Sequence, residues 1–203
     1  MLTSLAIRHR GMSLIELLVA MTVLGMTLLV GLPSFSQAIR NSQIRATGEA
    51  LLTGLAKARN EALRRNSRVR FSLVDTPEGN TCALSRTSGS WIVSLQDPNA
   101  NCQQPVSETV APMILSRWNQ REASLNVTVS VMNATCAETA DTKQVVFDGF
   151  GRVNATAADP IRCIVLNHNS GSGNRALRIT VSAAGAARMC DPAVTDTKDP
   201  RRC

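Results

Sequence analysis

Residues 17–35 carry no charge, and a chain containing such a run has few ways to fold. As a helix rising about 1.5 Å per residue, the run reaches across the roughly 30 Å hydrocarbon layer of a bilayer. Arg8 and Arg10 precede it, so the positive-inside rule keeps the short N-terminus in the cytoplasm and sends the larger C-terminal part outward. One acid interrupts the pattern. Glu16 stands at the start of the apolar run, where a charge costs roughly 3 kcal/mol unless something neutralises it. A secretory signal would end in a small-residue cleavage site, whereas here Pro33, Ser34 and Phe35 lead directly into further helical periodicity. Neither a plain anchor nor a secretory signal has a use for Glu16.

Beyond the run, Ile39, Ile44, Leu51, Leu55, Ala58 and Ala62 recur at helical spacing, with Leu52 and Leu63 on adjoining faces. Lys57, Glu61, Arg64 and Arg68 mark the opposite face, where Lys57 and Glu61 are spaced to pair. Gly48 and Gly54 weaken this helix slightly and leave room for close packing. The period then changes from helical to alternating. "RVRFSLV" sets Val69, Phe71 and Leu73 on one face, "WIVSL" follows, and "SLNVTVSV" groups Leu125, Val127, Val129 and Val131. "KQVVFDGFGRV", "RCIVLN" and "ALRITVSA" predict three more strands, the last with Leu177, Ile179 and Val181 inward. One long helix followed by about six strands is an α+β fold, an antiparallel sheet packed on the C-terminal half of the helix. Turn-rich stretches such as "DTPEGNT" and "QDPNANCQQP" separate the strands, and the polar, proline-broken tail 191–203 is loose unless Cys203 ties it down.

The 203 residues suit one medium domain with an appendage, and 3% aromatics without tyrosine make the core aliphatic. A net charge of +7 permits attraction to nucleic acid, anionic lipid or acidic polymers and selects none. All six cysteines follow the apolar run and no two form a C-x-x-C pair, which points to disulfides in an oxidising compartment and leaves their connectivity open. No G-x-S-x-G, H-E-x-x-H or phosphate loop is present. His168 lies in "LNHNSGSGN", a loop by composition, and the N-x-T triplets at Asn126, Asn133 and Asn154 are too short to carry a role. The expectation is a chain that is not an enzyme and holds no cofactor or metal.

Gly11, Met12, Ser13, Leu14, Ile15 and Glu16 resemble the class III leader and first mature residues of type IV pilins and pseudopilins. The resemblance implies that a membrane peptidase cuts after Gly11 and that Met12, where the family usually has phenylalanine, becomes an N-methylated first residue. Glu16 would then pair with a terminal ammonium as subunits are recruited into a filament, and Pro33 falls where pilins place a helix-loosening proline. "FDGFGRV", the cysteine-bearing strand after it and "LRITVSAAGAARMCDP" are similar to the GspH/FimT group of minor pilins and pseudopilins. That likeness implies a pilin-like α+β fold and a Cys163–Cys190 bridge. Beside it, Cys82 with Cys102 reads as a loop closure, which leaves Cys136 with Cys203 by elimination.

The implied organisation is a leader over 1–11, a transmembrane and assembly helix over 12–35, an amphipathic continuation over 36–67, a β-rich globular domain over 68–190 and a tail over 191–203. The implied function is that of a minor pilin in the tip complex that primes a type IV pilus. Its partners would be other minor pilins, the major pilin, prepilin peptidase and the inner-membrane assembly platform. It would cross the bacterial inner membrane once, with its globular domain in the periplasm, before entering the pilus. Two alternatives stand beside this: a type II secretion pseudopilin, and a DNA receptor for natural transformation. The DNA reading rests on Arg188, since Ala186 replaces the first arginine of the Gly-Arg-x-Arg turn seen in relatives. Arg175, Arg178, Arg201 and Arg202 could compensate, although Asp191, Asp196 and Asp199 lie among them. Arg59, Arg64, Arg65, Arg68 and Arg70 form a second basic cluster that could meet an acidic groove on a neighbouring subunit.

Overall fold

The computed structural model describes residues 12–79, 81–137, 139, 142–154, 159–170 and 173–203, without the side chains of 28–34. Among the described residues one α-helix, α1 (Leu14–Arg65), precedes eight strands: β1 (Val69–Leu73), β2 (Trp91–Ser94), β3 (Ile114–Trp118), β4 (Val127–Met132), β5 (Gln144–Phe147), β6 (Cys163–His168), β7 (Leu177–Val181) and β8 (Ala187–Cys190). The chain divides into two compact units, Met1–Ile39 and Arg40–Cys203.

In the first unit, Ser13 begins the helix: its Oγ accepts the Glu16 N–H at 3.2 Å, satisfying one of the amides that a helix start leaves without a partner. Leu14, Ile15, Leu17, Leu18, Val19, Met21, Val23, Leu24 and Met26 are all exposed. Thr22 and Thr27 donate their hydroxyls to the carbonyls of Val19 and Leu24, each at 2.8 Å, so neither presents an unmet donor on this apolar surface. Pro33 falls within the span of α1, but its side chain, like the others of 28–34, lies outside what the structure describes, as does the whole of Gly11. Among the described residues no helix is long and apolar enough to cross a membrane.

The second unit builds its core from one face of the helix and two antiparallel sheets, ordered β3-β2-β1-β5 and β4-β6-β7-β8. Ile44, Leu51, Leu55, Ala58 and Ala62 are buried as their spacing predicts, in one cluster with Phe71, Trp91 and Phe147 of the first sheet and Val129, Leu166 and Ile179 of the second. Two helical glycines let the sheets approach. A Cβ on Gly48 would stand 2.8 Å from the Met189 sulfur, and one on Gly54 would stand 2.7 Å from the Phe71 and Trp91 rings. Trp91 then donates its indole N–H to the Ala50 carbonyl at 3.1 Å, pinning β2 to the helix. On the far side of the first sheet Val74, Ile92 and Ile114 enclose the Cys82–Cys102 disulfide in a second small cluster, which is why β2 is buried on both faces.

Several sequence expectations need correction. Among the described residues the strands number eight rather than about six, because β3 and β8 lack a readable alternation: Ile114 is buried but Leu115 to Trp118 are all half-buried, and β8 is short and follows a glycine turn. Leu125 is exposed, since β4 begins only at Val127. His168 is no loop residue; it ends β6 and is buried. The expected Cys163–Cys190 and Cys136–Cys203 bridges do not form. Cys163 pairs in register with Thr180 of β7, and Cys190 with Arg178 of the same strand, so β7 lies between the two cysteines. Two strand spacings, about 9.5 Å, exceed the roughly 7 Å that a disulfide can bridge. Cys163 instead joins Cys136 in the turn after β4, and Cys190 joins Cys203. That last bridge ties the tail down. The Asp191 amide donates to the Arg201 carbonyl at 2.7 Å, beginning a parallel bridge between Asp191 and Arg202 at the sheet edge.

Candidate functional site

The segment singled out by the sequence is the first turn of α1. Ser13, Leu14, Ile15 and Glu16 have the S-x-x-E spacing of a capping box, and the Ser13 half of that arrangement is present. This is a local signal that the apolar pattern hides. By fixing the helix start at Leu14, it places Glu16 in the first turn, where the unpaired amides make a negative charge favourable. Glu16 also borders a shallow groove along the helix, lined by Ile15, Val19, Ala20 and Val23. An exposed carboxylate beside an apolar groove suits a cation delivered together with another apolar helix.

The tail arginines sit near one another, but two of them are engaged with carboxylates. The Arg175 Nε donates to Asp191 Oδ2 at 2.5 Å, and Arg201 forks onto Asp199 with its closest contact at 2.6 Å. The hydrogen bond and charge of Arg201 hold the Asp199 carboxyl at about 2. Burial pushes the Asp191 carboxyl up, but hydrogen bonds from Arg175 and the Ala193 amide outweigh it and leave Asp191 below the ordinary range. The Arg178 Nε is buried without a hydrogen-bond partner, and Arg188 donates to the Cys203 carbonyl at 3.3 Å. The charge left open to a phosphate is therefore mainly that of Arg188 and Arg202, both exposed.

The helix cluster is likewise committed. Glu61 accepts from Arg64 and Arg65 rather than from Lys57, and Arg65 reaches Glu108 in the loop before β3. Burial tends to raise the Glu61 carboxyl, but the Arg64 hydrogen bond, the largest influence, and that from Arg65 hold it below its ordinary value. Arg59 donates from Nε to the Gly151 carbonyl at 3.0 Å. Arg70 reaches Gln144 on the neighbouring strand at 3.5 Å, and Arg68 is exposed.

His168 has a structural role. Its Nδ1 accepts the Ser170 amide at 3.1 Å; since an amide can only donate, the ring hydrogen sits on Nε2, 3.0 Å from Gln43 Oε1 of the helix. Among the described residues no group of His, Cys, Asp and Glu is placed to hold a metal ion.

Residues 47–185 match the family model described as Type II transport protein GspH, and residues 7–32 match the prokaryotic N-terminal methylation motif. Among curated proteins none matches. Two crystal structures of the type IV minor pilin FimU of Pseudomonas aeruginosa strain PAO1 are similar. One, in space group P65, is 10% identical, covers 75% of this chain and 97% of its own, and has a TM-score of 0.46. The other, in space group P21, is 13% identical, with 76% and 92% coverage and a TM-score of 0.48.

Proposed function

The chain belongs to the GspH/FimT family of type IV pilin-like proteins, which are structural and not enzymatic, and from that membership we propose that it is a minor pilin of a type IV pilus. In this reading it begins as a precursor anchored in the bacterial inner membrane by 12–35, with its globular domain in the periplasm. Prepilin peptidase cuts after Gly11 and methylates Met12. The new ammonium and Glu16 then form the pair that makes a carboxylate tolerable among packed apolar helices. With other minor pilins it primes assembly on the inner-membrane platform and remains at the tip above the major pilin.

The observation that carries this reading is the methylation motif over 7–32 with Glu16 in the first turn of a helix whose following side chains are apolar and exposed. Intact mass and N-terminal sequencing, from cells with and without a prepilin peptidase, test it. A peptidase-dependent start at N-methylated Met12 is expected; retention of Met1, or a start beyond Pro33, would end the filament reading. A second reading, a type II secretion pseudopilin, is favoured by the description of the family model that matches 47–185. It shares the processing step, so deleting the chain and scoring surface pili against protein secretion separates the two.

A further inference from the structure

Leu73, Trp91 and Trp118 pair side by side across β1, β2 and β3, and just past them lies a cleft of about 310 Å³. Asp75 and Glu78 line it from the loop after β1, Ser90 from the residue before β2, and Gln120 and Arg121 from the turn after β3. The strand order sets the β1 and β3 sides two strand spacings apart, about 9.5 Å, with Ser90 between them. Each part is held in place. Asp75 Oδ1 accepts the Thr76 and Ala83 amides at 2.6 and 2.9 Å, and Arg117 donates to the Pro77 carbonyl at 3.2 Å. Across the cleft Asn119 Oδ1 takes the Arg121 amide at 3.1 Å, and the buried Gln120 takes the Gly89 amide at 2.6 Å.

Elsewhere in this fold acids and arginines close on each other, as in Glu61 with Arg64, Asp148 with Arg152, Asp191 with Arg175 and Asp199 with Arg201. In the cleft they stand apart. Among the described residues Glu78 has no ion pair, Asp75 accepts only at Oδ1, from Thr76 and Ala83, and the Arg121 guanidinium donates to nothing. Burial pushes the Asp75 carboxyl up, but the Ala83 and Thr76 amides outweigh it and hold it below its ordinary value, so it is charged at neutral pH. A cation alone would meet Arg121, and an anion alone would meet two carboxylates. A molecule with a positive and a negative end satisfies both sides.

We propose that this cleft binds a short free peptide of about two residues, its ammonium against Asp75 and Glu78 and its carboxylate on Arg121. The length follows from the walls, since an extended dipeptide spans about 7 Å and a single amino acid half of that. The Ser90 Oγ accepts the Gln120 amide at 3.0 Å and keeps its own hydrogen to donate to the peptide carbonyl in the middle. Leu125, 64% exposed at the rim, offers an apolar edge to a small side chain. The site lies in the globular unit and does not depend on the filament reading.

The test is NMR of the full chain in detergent, with isotope-labelled glycine, titrated with L-alanyl-L-alanine. Gly79 lines the cleft and the Gly89 amide bonds to Gln120, so both resonances should move while that of Gly151 stays. A dipeptide held by two exposed ion pairs should bind with a Kd of roughly 1 mM. Its N-acetyl and amide forms should each bind up to about fivefold more weakly, as should the parent dipeptide to Glu78→Gln or to Arg121→Ala. The variants also sort the two ends: the N-acetyl form should be indifferent to Glu78→Gln, and the amide form to Arg121→Ala. L-Alanine, too short to reach both sides, should bind more weakly than the dipeptide. Unmoved Gly79 and Gly89 resonances, blocked forms that bind as well as the parent, or variants without effect on its affinity would each overturn the proposal.

Discussion

At the scale of single residues, Glu16 and the buried Asp191 illustrate two ways of keeping a carboxylate. Glu16 is set in a helix's first turn by Ser13 and borders an apolar groove. The prediction is that Glu16→Ala leaves cleavage at Gly11 intact but abolishes incorporation into filaments, scored by immunoblot of sheared pili; normal incorporation would contradict the proposed pairing with the terminal ammonium. Asp191 is kept by Arg175 within the fold. Its carboxyl and that of Asp199 lie below the ordinary value of 3.8 when folded, Asp199 at about 2. A lowered carboxyl favours the folded state above its unfolded value and loses that contribution as pH falls through its folded value. Acidification from about pH 4 towards 2 should therefore loosen the tail, and Asp191→Asn should flatten that acid limb in pH-dependent denaturation while changing little at pH 7 beyond the loss of one charged hydrogen bond, about 2 kcal/mol.

At the scale of elements, the contact of α1 with its sheets depends on two glycines of identical helix propensity and different surroundings. Replacing either by alanine gains about 1 kcal/mol of helix propensity. At Gly48 the added methyl meets the flexible end of Met189, which can turn aside, and the Cδ1 of the buried Leu166 at 3.0 Å, which need give by only a few tenths of an ångström. At Gly54 it meets the Phe71 and Trp91 rings, which are held in the core and, for Trp91, by the bond to Ala50. Overpacking of this kind costs about 1–3 kcal/mol. Gly48→Ala should thus be near neutral and Gly54→Ala destabilising, compared by chemical denaturation of the full chain in detergent. Equal stability of the two variants would mean that the helix and first sheet can separate without loss.

For the whole molecule, three disulfides each fasten a different irregular stretch: the loop after β1, the turn after β4 and the tail. Non-reducing peptide mapping should recover Cys82–Cys102, Cys136–Cys163 and Cys190–Cys203, and recovery of a Cys163–Cys190 peptide would contradict the strand order. Replacing Cys82 and Cys102 together by alanine should cost about 3 kcal/mol, as expected for a loop of that length. The order of helix and strands, the buried helix face and the motif around Glu16 were legible in the sequence, because they rest on periodicity and on neighbours within a few residues. β3 and β8 were not, since β3 is half-buried along most of its length and β8 is only four residues long, so neither shows a readable alternation. Nor was the role of His168, whose partner Gln43 is remote in sequence. Cysteine pairing likewise followed from β7 standing between Cys163 and Cys190. Local pattern thus determined what each segment becomes, while only the tertiary structure decided which segments meet, because a contact between distant residues depends on the packing of everything that lies between them.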